Sequence, residues 1–200
     1  MEGLDDTPLW ERSLTGDGEA FALLFDRHQA RVHRHAHRLT ADAHDAEDLT
    51  AGAFLELWRR RRDARVVSGS LLPWLLVTTT NLARNHARGL RRHRAFLARL
   101  PRTEAVVDDH ASSRVDERWS NALARLSAAD LRLVALVVLE DQPLADAASV
   151  LGLTPQAAKS RMHRARLRLR AAMSEPDEGP PGAGPAARES DPSRTTGGRR

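Results

Sequence analysis

The sequence predicts an all-α protein, two small helical domains joined by a flexible linker. Apolar residues recur at helical spacing in three N-terminal stretches and again beyond residue 118, and a helix stop and a helix start stand back to back between Gly152 and Pro155. No stretch reads as a strand, and no internal repeat is present.

From Glu19 to Leu39, the residues Phe21, Leu24, Phe25, Val32, Ala36 and Leu39 form one apolar stripe with Arg and His around the rest, which predicts a long amphipathic helix. A second helix is expected from about Asp45 to Arg60, with Leu49, Ala53, Phe54, Leu57 and Trp58 inward. Its first turn is acidic, as the helix dipole favours. Arg61 to Ser70 is polar, contains Gly69 and lacks a period, so it should be a loop. After Pro73, tolerated in a first turn, Leu71, Trp74, Leu75, Thr78 and Leu82 mark a third helix reaching toward Arg94. These elements make up a first domain over residues 1–100. The polar stretch 101–117 loses all periodicity and reads as an interdomain linker. Helices resume at Arg118, and Leu131 to Leu139 is apolar almost throughout, as in a helix buried inside a small bundle; the second domain spans 118–173. The tail 174–200, rich in Pro, Gly, Ser and Arg, cannot bury enough apolar surface to fold.

The 200 residues carry 31 Lys and Arg against 27 Asp and Glu, and Lys159 is the lone lysine. That near balance conceals two acid-free basic blocks, one from Arg84 to Arg102 and one from Lys159 to Arg170. There is no Cys, which excludes disulfides, thiolate metal sites, a Cys nucleophile and a thiol sensor in this chain. No apolar run is long enough to span a bilayer and the N-terminus does not resemble a signal peptide, so a cytoplasmic protein without membrane contact is expected.

The strongest local signal is a helix-turn-helix. Leu144, Ala147, Ala148 and Leu151 fall at i, i+3, i+4 and i+7, and Gly152 follows where a helix ends in a left-handed residue. Thr154 is placed as N-cap, Pro155 takes the first helical position, and Ala158, Met162, Ala165 and Leu169 give the next helix its inward stripe. Opposite that stripe lie Gln156, Ala157, Ser160, His163 and Arg164, with Lys159, Arg161 and Arg166 on the flanks. Gln and Arg pair bidentately with adenine and guanine edges, while flanking cations bind phosphates and set register. An ordinary surface helix with a solvated basic face is the bland alternative, disfavoured because cap, turn glycine and apolar register coincide.

The stretch from RLSAADLRLVALVVLE through KSRMHRARLRLR resembles region 4 of extracytoplasmic-function sigma factors of bacterial RNA polymerase. DGEAFALLFDRH resembles the opening of sigma region 2, DAHDAEDLTAGAFLELWRR its polymerase-binding helix, and PWLLVTTTNLARNHARGLRRHR its promoter-melting helix. The four motifs stand in the family's order over about residues 10 to 172, and the linker lies where this class joins its two domains directly. The resemblance implies that Gln156, Ala157, Lys159, Ser160, Arg161, His163, Arg164 and Arg166 meet the minus-35 element in the major groove. It also implies capture of the minus-10 strand by the helical face of Asn81, Arg84, Asn85 and Arg88, continued by Arg91 and Arg92, while the loop 61–70 receives an extruded base. The helix bearing Asp45, Glu47, Asp48, Leu55, Glu56, Trp58 and Arg59 corresponds to the family's dock for the clamp helices of the largest polymerase subunit. Partners implied are core polymerase, including the flap of the second-largest subunit, promoter DNA and an anti-sigma factor. One departure stands out: where the family often has a Gln-Glu pair, this chain has Ala51 and Gly52, and an interior glycine costs a helix about 1 kcal/mol relative to alanine.

Two competing classes have weaker support. A helix-turn-helix regulator acting without polymerase would need neither the second basic helix nor the acidic docking helix. A metal site is suggested by His33 and His37 at i, i+4 with His28, His35 and His44 nearby, but His28 and His35 lean toward the apolar stripe and the others lie off it, so the set does not converge. No nucleophile turn or phosphate-cradling loop is present; neither an enzyme nor a cofactor is expected.

Overall fold

The computed structural model describes residues 5–97, 99, 119 and 121–174; the linker expected at 101–117 and the tail beyond Ser174 lie outside them. The described chain is helical: α1 (Thr7–Leu14), α2 (Gly18–Thr40), α3 (Ala43–Arg59), α4 (Leu72–Leu97), α5 (Ala128–Val134), which runs on as a π-helix (Ala135–Leu139), α6 (Leu144–Val150) and α7 (Pro155–Ser174). Among the described residues strand pairing is limited to one isolated bridge, Val67 to Ser70. No described helix is long and apolar enough to cross a membrane.

Local chemistry sets the boundaries. Asp17 accepts from Ala20 N at 3.0 Å and starts α2; Asp42 accepts from Asp45 N at 2.8 Å and starts α3. Between them Ala41 takes the left-handed conformation, φ 56°, and its N–H returns to His37 O. α2 buries Leu24, Val32 and Ala36 as its stripe requires, together with His28 and His35. Against it α3 packs Ala46, Leu49, Ala53, Phe54 and Leu57, and α4 packs Leu72, Leu75, Leu76, Thr79, Thr80 and Ala83. Trp58, expected inward, is 36% exposed: it stands at the rim with Phe21 edge-on at 5.3 Å and the Arg61 guanidinium over its ring. Beyond Ala83 no residue of α4 is buried, so its last turns project as a charged rod.

Helix α1 escaped the sequence reading because eight residues with Trp10 as the one large buried side chain show no period. It matters through Asp6 at its N-terminus. The Asp6 side chain is fully buried and meets His28 Nε2 at 2.7 Å, Leu71 N at 2.8 Å, Ser70 Oγ at 3.2 Å and the Arg27 guanidinium, while Asp6 N donates to Gly69 O. The loop 61–70 is therefore ordered: Val67 and Ser70 exchange backbone hydrogen bonds across a tight turn at Ser68 (φ 50°) and Gly69 (φ 74°).

The C-terminal helices form a second layer. The long helix expected over 131–139 widens to π geometry at Ala135, and its end turns toward α2, where Arg38 donates to Leu139 O and Arg31 Nη2 donates to Glu140 O at 2.7 Å. α6 ends at Gly152 (φ 64°), with Leu153 N returning to Ala148 O at 2.9 Å. α7 buries Ala158, Met162, Ala165 and Leu169, the four residues of the expected stripe. Leu133, Val134 and Leu136 share one apolar core with Leu71, Leu75 and Leu76 of the first domain, so the two helical groups are packed together.

Burial pushes the Asp6 carboxyl up, but hydrogen bonds from His28, Leu71 N–H and Arg27 outweigh it and hold the group at about 2. Its contribution is present above pH 3.8, the ordinary value, and is lost as pH falls toward 2. We expect about 2 kcal/mol of stability to disappear over that window, and Asp6→Asn to remove that share of the pH dependence, as measured by urea titration at stepped pH.

Candidate nucleic-acid and polymerase interfaces

Because α7 spends its small residues on the core, its polar side is left to solvent. Gln156, Lys159, Ser160, His163, Arg164 and Arg166 are exposed, whereas Ala157 and Arg161 are half-buried at the edge of the same face. Lys159, Ser160, His163 and Arg164 line a shallow depression of about 380 Å³. Among the described residues none of Lys159, Arg161, Arg164 and Arg166 has an ion-pair partner; Arg168, one turn on, is held by Asp130 of α5 at 2.7 Å and braces the helix. Thr154 Oγ1 accepts from Ala157 N at 3.2 Å, the cap expected from the sequence.

The basic face of α4 divides. Asn85 and Arg88 are exposed and joined by a 2.7 Å hydrogen bond, and Arg92 is also exposed. Half-buried Arg84 and exposed Arg91 line the rim of a void of about 90 Å³ whose far wall is Leu123, Leu126 and Leu131 of the C-terminal layer. Asn81 is half-buried. The expected set is thus brought onto one helix, with one edge solvated and the other facing the second domain.

On α3, Glu47, Asp48, Leu55, Trp58 and Arg59 are exposed, and Glu56 is engaged by Arg59 at 3.6 Å and Arg60 at 3.3 Å. Leu55 and Trp58 lie one turn apart, an apolar patch rimmed by charge, the character of a protein-docking surface. Asp45 differs: its carboxylate lies 2.9 Å from His86 Nε2, so it serves the α3–α4 contact. The departure at Ala51 and Gly52 also separates into two parts. A Cβ on Gly52 would meet Leu82 Cδ1 at 3.2 Å, so this glycine faces α4 and permits close helix packing, whereas Ala51 is exposed beside a groove lined by Phe25, Gln29, His33, Arg34, Glu47 and Thr50.

One polar cluster went unread in the sequence. Glu140, 4% exposed, meets His35 Nδ1 at 3.0 Å, Arg38 at 2.9 Å and Arg31 at 3.2 Å. Thr80 Oγ1 donates to Leu76 O and lies 2.9 Å from His35 Nε2, so both ring nitrogens of His35 have partners. Burial pushes the Glu140 carboxyl up; the hydrogen bond and charge of His35, with Arg31 and Arg38, outweigh it and hold it below the usual carboxylate range. A second tie joins Ser68 Oγ to Asp146 at 2.7 Å. The sequence signal was two histidines, His28 and His35, on an apolar stripe, where buried ring nitrogens require partners; His33 is half-buried and His37 exposed.

Residues 24–93 match the family Sigma-70 region 2, and residues 116–169 match Sigma-70, region 4. The chain is 31% identical to the RNA polymerase sigma factor CarQ of Myxococcus xanthus over 170 residues, 82% of this chain and 95% of that protein. It is 32% identical to the ECF RNA polymerase sigma factor SigM of Mycobacterium tuberculosis over 168 residues, 82% of each chain. Among solved structures it is similar in fold to CnrH, determined in complex with the cytosolic domain of CnrY, with a TM-score of 0.55 and 24% identity over 83% of this chain and 95% of that one.

The turn before α7 has to hold its exposed face in place. Thr154→Ala removes the cap and Gly152→Ala forces a side chain into the left-handed region; we expect each to destabilise the C-terminal helices by about 1 kcal/mol, read from thermal melts by circular dichroism.

Proposed function

The chain belongs to the extracytoplasmic-function class of RNA polymerase sigma factors, and from that membership and its two basic faces we propose how it selects and opens a promoter. The observation that carries the reading is the pair of acid-free faces, on α4 and on α7, in one chain with an apolar-centred docking helix, α3. α7 enters the major groove of the minus-35 element. Gln156 and Arg164 read base edges, while Lys159, Arg161 and Arg166 bind phosphates. Asn85, Arg88 and Arg92 of α4 hold the backbone of the minus-10 strand, and the Asp6-pinned loop 61–70 offers a preformed seat for an extruded base.

Docking centres on Leu55 and Trp58, with Glu47, Asp48, Glu56 and Arg59 as a charged rim toward the clamp helices of the largest subunit; the C-terminal layer lies toward the flap of the second-largest. Asp45 contributes indirectly by fixing α3 against α4. The protein works in the cytoplasm, by binding rather than catalysis: strand opening is driven by single-strand contacts within the holoenzyme that offset lost pairing and stacking. An anti-sigma factor that restrains the free protein is the further partner that family membership suggests.

Run-off transcription with bacterial core polymerase on a pool of genomic promoter fragments tests the reading: transcripts should start at defined positions only when the chain is added. Potassium permanganate footprinting separates the two faces. Arg164→Ala should reduce promoter occupancy by about 1 to 3 kcal/mol with opening of bound promoter unchanged, whereas Arg88→Ala should leave duplex occupancy intact and slow opening. Equal loss of the same step in both variants would refute the division.

A further inference from the structure

Glu140 sits where an anion from outside the protein would sit. Arg31, His35 and Arg38 lie at i, i+4 and i+7 on α2, their heads converge on one carboxylate, and Glu140 is the acid that meets them. Arg31 and Arg38 are 41% and 50% exposed at their side chains even in this packed arrangement, so the cluster opens directly to solvent at its edge. His35 touches Thr80 of α4, one turn before Arg84; the cluster therefore continues into the basic edge of α4 that the C-terminal layer covers. Removing Glu140 would leave three donors side by side with no acid among them, a fork suited to a phosphate group.

Domain packing and promoter engagement also conflict in scale. Two elements centred near positions minus-10 and minus-35 are on the order of 25 base pairs apart, roughly 85 Å along a duplex at about 3.4 Å per step. A compact unit of about 170 residues is only roughly 40 Å across. The packed form cannot engage both, so the two helical groups have to separate for one chain to reach both elements.

We propose that Arg31, His35 and Arg38 form a binding site for a backbone phosphate of the single promoter strand, and that Glu140 occupies it as an internal surrogate, making domain closure and strand capture mutually exclusive. The proposal rests on the sigma reading and adds to it a site on α2. The cluster consists of Arg31, His35 and Arg38 from α2, Thr80 from α4 and Glu140 after the π-helix. Because the closed state withholds the site, apparent affinity for a strand is reduced by the fraction of molecules that are open.

The test uses the full chain and a fluorescein-labelled 12-nucleotide single strand, with anisotropy titrations across sodium chloride. The absence of Cys allows a dye pair at Asp26→Cys and Ser149→Cys, exposed on α2 and α6, to report domain separation. Glu140→Gln should lower energy transfer and tighten strand binding about tenfold, and strand addition should lower transfer in the unmodified protein as well. Adding Arg38→Ala to Glu140→Gln should reverse the tightening and flatten the salt slope by about 0.7, one phosphate contact, which a purely structural effect would not do. Arg38→Ala alone leaves Glu140 paired with Arg31 and His35, so it folds even where Glu140→Gln is weakened, and it should flatten the salt slope by the same amount. Unchanged affinity in Glu140→Gln despite lowered transfer would overturn the phosphate site, and unchanged transfer would overturn the surrogate. Run-off transcription by the unmodified chain distinguishes these failures from failure of the sigma reading itself.

Discussion

Two buried carboxylates, each set against a histidine of α2, organise this molecule. His28 and His35 stand seven residues apart on the apolar stripe of one helix, and Asp6 and Glu140 reach them from opposite ends of the chain. A carboxylate in such a place is unfavourable unless it is paired and its lone pairs are used, and losing one partner of such a pair typically costs 3–5 kcal/mol. Both requirements are met by a histidine and arginines: at Asp6 by His28 and Arg27 with the Leu71 N–H and the Ser70 hydroxyl, and at Glu140 by His35 with Arg31 and Arg38. At Asp6 the pairing brings the N-terminal helix and the loop 61–70 onto α2. At Glu140 it brings the C-terminal layer onto the same helix two turns along.

The consequence for function lies in α4, which has two neighbours with different claims on it. Its first half is a core helix, buried through Ala83 between α2, α3 and the π-helical segment. Its second half has no apolar residue buried and presents Asn85, Arg88 and Arg92 to solvent while Arg84 and Arg91 face the other domain. The core half of α4 holds its exposed half rigid, which on the proposed reading limits the ordering entropy that strand binding must overcome. Gly52 serves the same end from α3: without a side chain there, α3 and Leu82 of α4 come into close contact, which ties the exposed Leu55 and Trp58 face of one helix to the basic face of the other.

The helices and the turn before α7 were legible because each is a local statement. Stripes repeat every three or four residues, a cap and its acceptor are neighbours, and Gly152 marks a left-handed residue by its own chemistry. The four buried residues of α7 were named from periodicity alone. What could not be read was long-range: His35 to Glu140 spans 105 residues and His28 to Asp6 spans 22, and nothing in the local pattern says which acid will meet which histidine. The stripe did show that both histidines would be inward. The same distinction explains Asp45 and Gly52, whose place in an acidic, docking-type segment suggested a surface role until the position of α4 turned both inward.

Tertiary pairing also decides how the basic residues should be counted. Arg84 and Arg88 belong to one acid-free block in the sequence, yet one faces the second domain and the other faces solvent; Arg31 and Arg38 belong to no block and are drawn into a cluster by Glu140. Charge density along the chain therefore locates the basic helices but not the tertiary clusters into which isolated cations are drawn. An acid that silences several cations in a packed form identifies them as sharply as an anionic ligand would, because the geometry that satisfies a buried carboxylate, convergent donors with few competing acids, is the geometry that satisfies a phosphate. If closure and strand capture exclude each other as proposed, the contacts that close the protein are the first place to look for the contacts that it makes when open.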